Sequence, residues 1–160
     1  MSFCEYLRVD RSIGKIRELP VRTRASYKVT IYKPEEIFTH RGRAAYLEGL
    51  KANEKELCFF DPDNGFGPHN PNKKHVLYAE VIELLGRSHR NSVVSVFQHF
   101  RRISFEKDYG NILQNLGDLY TIAICWHSLM FVLVTKSSDC LKHVKEATRD
   151  YATNRPVRIL

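Results

Sequence analysis

Two apolar runs near the C-terminal end of the chain constrain its fold more than any other feature. They cover residues 119–125 and 129–135, and only Trp126, His127 and Ser128 separate them. Each run has the length of a β-strand, and a connection this short cannot return the chain to the start of a parallel neighbour. The two runs are therefore predicted to pair as an antiparallel hairpin.

Upstream of this hairpin, strand patterns alternate with helix patterns. The predicted segments are, in chain order, a strand at 26–32, a helix at 44–53, a strand at 57–60, a helix at 73–85, a strand at 92–97, a helix at 104–116, the hairpin, and a helix from 138 or 139 to 151. Such alternation is typical of an α/β fold. The sequence predicts a three-layer, Rossmann-like fold with a mostly parallel sheet, closed by the C-terminal antiparallel hairpin.

The length of 160 residues corresponds to one domain. Residues 26–151 are predicted to form its α/β core, 152–160 a tail, and 1–25 a basic, poorly defined N-terminal segment. The four cysteines have no paired spacing, which argues against a zinc site or a disulfide framework. A polar N-terminus and the lack of a long apolar run predict a cytoplasmic protein that does not associate with membranes.

The composition leans basic, with a formal net charge of +7. Basic domains attract anions over distances of several ångströms. This charge favours a nucleic acid or a nucleotide as partner, although many basic domains bind neither.

Polar residues follow two of the predicted strands at the point where each strand ends. The run at 57–60 leads into Asp61-Pro62-Asp63-Asn64-Gly65, and the strand at 92–97 leads into Gln98 and His99. Ligands of open α/β sheets bind beyond the carboxyl ends of the strands. The two strand ends are therefore predicted to form one site, the alternative for the first being an ordinary acidic turn.

The chemistry of these residues suggests a role for each. Carboxylate and amide oxygens accept hydrogen bonds from a substrate amino group, and a histidine near carboxylates is suited to acid–base work. The candidate catalytic residues are Asp61, Asp63, Asn64 and His99. The candidate substrate-binding residues are Pro62, Gly65, Phe66, Gln98, Arg101 and Arg102.

Two further interpretations of the same residues remain open. Asp61 and Asp63 could hold a divalent cation through their oxygens, with His99 as the base of a metal-dependent nuclease or phosphoesterase. Arg101 and Arg102 suit bidentate contact with phosphate, but a solvated pair at a helix entry has the same sequence pattern.

The region 40–135, which contains these residues, resembles the C-terminal half of class I S-adenosylmethionine-dependent methyltransferases. In that family a parallel sheet is closed by an antiparallel pair, and the fourth strand ends in a short acidic or amide motif such as Asp-Pro-Pro-Tyr. Asp61-Pro62-Asp63-Asn64 stands in the equivalent place. The region is also similar to a group of bacterial proteins. These have a DPDNG strand end and a later strand end similar to Gln98-His99-Phe100-Arg101.

The resemblance implies a methyltransferase-like domain that binds a nucleotide or nucleic acid, with S-adenosylmethionine as the implied cofactor. The chain departs from the family in two respects. It shows no glycine-rich loop after a first strand, and Asp63-Asn64 replaces Pro-Tyr, so the aromatic ring that would stack on a flipped base is missing there unless Phe66 replaces it.

These departures imply a domain that lacks the N-terminal cofactor-binding strands and is catalytically incomplete. The missing strands would leave an apolar sheet edge exposed, which favours a homo-oligomer. A non-enzymatic interaction protein of a mobile element is the remaining alternative.

Overall fold

A mixed five-stranded sheet is the centre of the computed structural model, which describes residues 13–67 and 72–160. The strands are β1 (Leu57–Phe60), β2 (Val93–His99), β3 (Tyr120–Trp126), β4 (Leu129–Thr135) and β5 (Arg158–Ile159). Their order across the sheet is β1-β2-β4-β3-β5. The predicted hairpin is confirmed, because β3 and β4 pair antiparallel from Tyr120 opposite Thr135 to Trp126 opposite Leu129.

The prediction of a mostly parallel sheet is wrong. Only β1 and β2 are parallel neighbours, whereas the pairs β2–β4, β4–β3 and β3–β5 are antiparallel. The reason lies in the position of β4. Strands β1, β2 and β3 run in one direction, as the alternation predicted, but β4 lies between β2 and β3 and runs against both.

Two end segments also differ from the prediction. Residues 26–32 form no strand, because no neighbouring strand pairs with this segment. Tyr27, within it, is exposed. The predicted tail contains β5, and Leu160 exchanges two backbone hydrogen bonds with Ala123. Residues 1–12 of the N-terminal segment lie outside the described part of the chain.

Five α-helices accompany the sheet in the part of the chain that is described. A 3₁₀ helix (Ile13–Glu18) comes first, followed by α1 (Leu19–Thr23), α2 (Arg43–Leu47), α3 (Tyr78–Arg87), α4 (Phe105–Leu116) and α5 (Ser138–Thr153). The start of α4 is confirmed, since Ser104 Oγ accepts a hydrogen bond from the Lys107 amide. None of the helices in residues 13–67 and 72–160 is both long and apolar enough to cross a bilayer.

Helices α3 and α4 pack on one face of the sheet, which we call the core face. Their apolar stripes meet the even-numbered residues of β2 and β4, among them Val94 opposite Val134 and Val96 opposite Val132. All four of these valines are completely buried. The hydrophobic core therefore lies between these two helices and the core face.

The opposite side of the sheet is covered unequally. Phe59, Ser95, Leu133 and Ile122 form one row across β1, β2, β4 and β3, and side chains of one row lie on one face. Helix α5 contacts β3, β4 and β5, and Ile122 at that end of the row is 3% exposed. Phe59 at the β1 end is 54% exposed. We call the part of this side nearest β1, with Leu57, Phe59, Phe97, His99 and Phe131, the open face.

Candidate functional site

The two predicted strand ends meet. Strands β1 and β2 are parallel neighbours with Phe60 opposite Val96, so Asp61 leaves β1 level with Phe97. His99 ends β2 two residues further on. The prediction that these ends lie side by side is therefore confirmed.

Strand alternation divides the predicted site residues between the two faces of the sheet. His99 is exposed and its ring lies 4.6 Å from the ring of Phe97, which belongs to the open face. Asp61 is also exposed and lies within electrostatic reach of His99. Gln98, which faces the other way, is completely buried. Asp61 and His99 are thus available to a ligand, whereas Gln98 is not.

Gln98 joins the acidic turn to the rest of the core. Its Oε1 accepts a hydrogen bond from the Phe66 amide at 2.8 Å, and its Nε2 donates to Asp108 Oδ2 at 3.1 Å. Arg101 donates to the Phe66 carbonyl and lies 3.7 Å from Asp108 Oδ1. Gln98 and Arg101, both predicted to bind substrate, are engaged in holding the turn from inside.

Phe66 is also used inside the protein. Its side chain is completely buried, and its ring stacks on Tyr78 with centroids 4.7 Å apart and planes within 8°. A ring in this position presents no face to a ligand. The burial of Phe66 therefore gives no support to its predicted role as a stacking surface for a base.

The turn itself runs close to β2 and needs a glycine at one position. Gly65 has φ +83°, and a Cβ built on it would lie 2.6 Å from Gln98 Cδ and 3.0 Å from Gln98 Cα. Backbone hydrogen bonds fasten the turn on its other side, from Asn64 N to Lys74 O and from Val76 N to Gly65 O. Gly65 is therefore a close-packing residue rather than a ligand contact.

A buried ion pair, which the sequence did not reveal, secures the segment that follows the turn. Arg43 is 8% exposed; it pairs with Glu80 and donates a 2.6 Å hydrogen bond to the His75 carbonyl. Glu80 in turn accepts from the Leu77 amide at the start of α3. The only sequence signal was a glutamate three residues after Leu77, a position from which its carboxylate reaches the N-cap amide, although leucine cannot complete a capping box.

The remaining predicted residues are at the surface. Asp63 and Asn64 are exposed, Pro62 is half-buried, and Lys74 Nζ lies 3.7 Å from Asp63 Oδ2. Arg102 is exposed as well and has a positive φ of 63°. The polar groups that the site offers to a ligand are therefore those of Asp61, Asp63, Asn64, His99 and Arg102.

Two carboxyl groups near the strand ends have raised pKa values. Partial burial raises the pKa of Asp61, and the neighbouring charge of Asp63 raises it further, whereas His99 lowers it. Burial also raises the pKa of Asp108, against the opposing effects of Arg101 and the hydrogen bond from Gln98. Asp61 thus accepts a proton more readily than an isolated aspartate does.

The raised pKa of Asp61 predicts that Asp61→Asn stabilises the protein slightly at neutral pH. A carboxyl group with a higher pKa in the folded state stabilises the fold below its unfolded pKa, and this contribution is lost as the pH rises through the folded value. We expect the variant to gain slightly in stability relative to wild type as the pH rises from below the ordinary aspartate pKa to neutrality. Urea unfolding across that range measures the gain, with Asp118→Asn as an exposed control. An unchanged pH slope would contradict the prediction.

The geometry gives little support to a divalent cation at the turn. In residues 13–67 and 72–160, no group of three or more His, Cys, Asp or Glu side chains is placed to hold a metal ion. Hard cations take about six oxygen ligands. At this turn, Asp61 and Asp63 would be the only two residues providing carboxylate oxygens. The arrangement is better suited to accepting hydrogen bonds from a ligand.

The chain was also compared with known proteins. No protein-family model, curated protein or solved structure matches it.

Proposed function

We propose that this protein is a methyltransferase-like domain that binds nucleic acid, with the ends of β1 and β2 contacting the bases, and that it is catalytically incomplete. The observation that supports binding most directly is the position of Asp61 and His99 at adjacent strand ends. Buried contacts of Gln98 hold the turn from behind. A site held in place before binding loses less conformational entropy when the ligand arrives.

The exposed groups match the edges of nucleobases. The carboxylate of Asp61 accepts hydrogen bonds from exocyclic amino groups, and the amide of Asn64 both donates and accepts. The ring nitrogens of His99 can donate or accept a hydrogen bond, depending on the tautomer. The net charge of +7 supports a polyanionic ligand, since lysine and arginine side chains neutralise phosphates.

The resemblance to methyltransferases was drawn from a parallel sheet closed by an antiparallel hairpin and from the acidic motif at Asp61. The observed sheet includes the hairpin β3–β4, but β1 and β2 are the one pair of parallel neighbours among its described strands. The burial of Phe66 weakens the catalytic part of the resemblance, because no ring of the turn is left to hold a flipped base. We therefore propose binding without methyl transfer.

Binding of fluorescent oligonucleotides, followed by anisotropy at low salt, tests this function. The double variant Asp61→Ala/His99→Ala is expected to bind about tenfold to a hundredfold more weakly, since two hydrogen-bonding groups are lost at about 1 kcal/mol each. The slope of affinity against salt is expected to stay the same, because neither residue contacts phosphate. Asp118→Ala serves as the control.

Four results would count against the proposal. Failure of wild type to bind any oligonucleotide at low salt would refute it, as would equal affinities of wild type and double variant. Heat from S-adenosylmethionine binding in calorimetry would contradict the catalytic incompleteness. Cleavage of plasmid DNA that needs Mg²⁺ and disappears in Asp61→Asn would favour the nuclease instead.

A further inference from the structure

Aromatic rings of the open face form a continuous surface across three strands. The ring centroids of Phe97 and Phe131 are 5.3 Å apart, and those of Phe59 and Phe131 are 6.3 Å apart. The latter two approach each other across β2, where the small side chain of Ser95 leaves room between them. His99 adjoins this surface through its contact with Phe97.

The β1 part of this surface is exposed, whereas Phe97 and Phe131 are half-buried. Phe59 is 54% exposed and Leu57 is 53% exposed, although the valines on the core face of the same sheet are completely buried. Single exposed apolar residues are common, but a contiguous apolar set marks an interaction site. The polar strand ends adjoin the same surface, so ring faces and hydrogen-bonding groups lie together.

We propose that the open face is a stacking platform for the unpaired bases of a single-stranded nucleic acid. This inference rests on the proposed function and names the form of its ligand. Every base has a flat face that stacks on an aromatic ring, whatever the sequence. Bases within a duplex are already stacked and offer no such face. Phe59 offers the most exposed ring of the open face, and His99, which contacts Phe97, lies at its border.

The net charge of the chain favours a nucleic acid over a second copy as the occupant of this face. Like net charges of +7 repel each other at long range, whereas a polyanion is attracted. The edge position of β1 would admit a second chain by strand pairing. A second copy of the chain is therefore the alternative to a nucleic acid at this face, and the experiment below distinguishes the two.

Anisotropy with a single-stranded oligonucleotide and the duplex of the same sequence tests the platform. We expect the single strand to bind at least about tenfold more tightly than the duplex. Phe59→Leu, which keeps an apolar side chain but removes the ring, is expected to weaken single-strand binding by about fivefold to tenfold. Phe59→Trp is expected to restore it. The matched control is Ile82→Leu, an exposed apolar residue of α3, which covers the core face.

Each outcome decides between the inference and its alternatives. If Asp61→Ala/His99→Ala loses affinity while Phe59→Leu binds like wild type, the platform is refuted and the proposed function stands. If wild type binds neither oligonucleotide, both fail. Equal binding of duplex and single strand refutes the platform alone. A dimer in sedimentation that Phe59→Leu dissociates would assign the face to a second copy and overturn the inference.

Discussion

Gly65→Ala is expected to destabilise the protein by about 3 kcal/mol or more, a large fraction of the stability of an ordinary domain. Two effects add. Alanine is strained at a φ of +83°, and its Cβ would lie 2.6 Å from Gln98 Cδ and 3.0 Å from Gln98 Cα. Gln98 cannot move aside easily, because it is completely buried and bonded to both Phe66 and Asp108. Urea unfolding followed by circular dichroism measures the loss.

Gly49→Ala is the matched control for this experiment. Gly49 has nearly the same backbone conformation, with φ +77°, but nothing lies within 4 Å of a Cβ built there. It is expected to lose only the backbone term, about 1 kcal/mol. The difference between the two variants then measures the close approach of the turn to Gln98. Equal losses would show that the approach has no energetic consequence.

Arg43→Met is expected to cost about 3–5 kcal/mol of unfolding free energy. Methionine keeps an unbranched stem but leaves Glu80, whose side chain is 11% exposed, without its cation. The same change removes the hydrogen bond to the His75 carbonyl in the segment after the turn. We therefore expect the start of α3 to become less ordered, which thermal unfolding and amide hydrogen exchange detect.

Two further variants separate the ion pair from a general effect of charge removal. Lys142→Met removes one partner of an exposed pair with Asp139, whose side chains are 72% and 63% exposed, and is expected to leave stability nearly unchanged. The double variant Arg43→Met/Glu80→Met is expected to regain part of the loss, because no charge is then left buried alone. If Arg43→Met costs no more than Lys142→Met, the pair does not secure the turn.

The sequence predicted features that depend on neighbouring residues. The apolar run at 57–60 coincides with β1, the run at 129–135 with β4, and Ser104 caps α4 as its position before Glu106 and Asp108 indicated. Each of these follows from local propensity or spacing. The direction of β1, β2 and β3 was also predictable, because helical connections return the chain to the same end of the sheet.

What the sequence could not supply was the order of the strands. A hairpin pattern shows that β3 and β4 pair, but either of them can lie beside β2. Here β4 does so, with Val94 opposite Val134, and this converts the expected parallel neighbours into antiparallel ones. The choice depends on how both faces pack as a whole, which no short segment reveals.

The site was predicted in location more than in detail. Asp61 and His99 lie at adjacent strand ends as expected, but Gln98 and Phe66 have structural roles. Alternation within β2 was the available signal: Val94, Val96 and Gln98 share the core face, so Gln98 had to point inward and His99 outward. Gln98 was predicted to bind a ligand because its side chain is polar. The backbone groups of a buried turn also need polar partners, however, and Gln98 is such a partner for the Phe66 amide.

Chemical-shift mapping by NMR tests the central claim most directly, namely that the open face and its polar strand ends bind single-stranded nucleic acid. Titration of the labelled protein with a short single strand is expected to perturb Phe59, Phe97, His99 and Phe131, with little change in α3 and α4. Perturbations confined to those two helices, or none at all at saturating oligonucleotide, would contradict the claim.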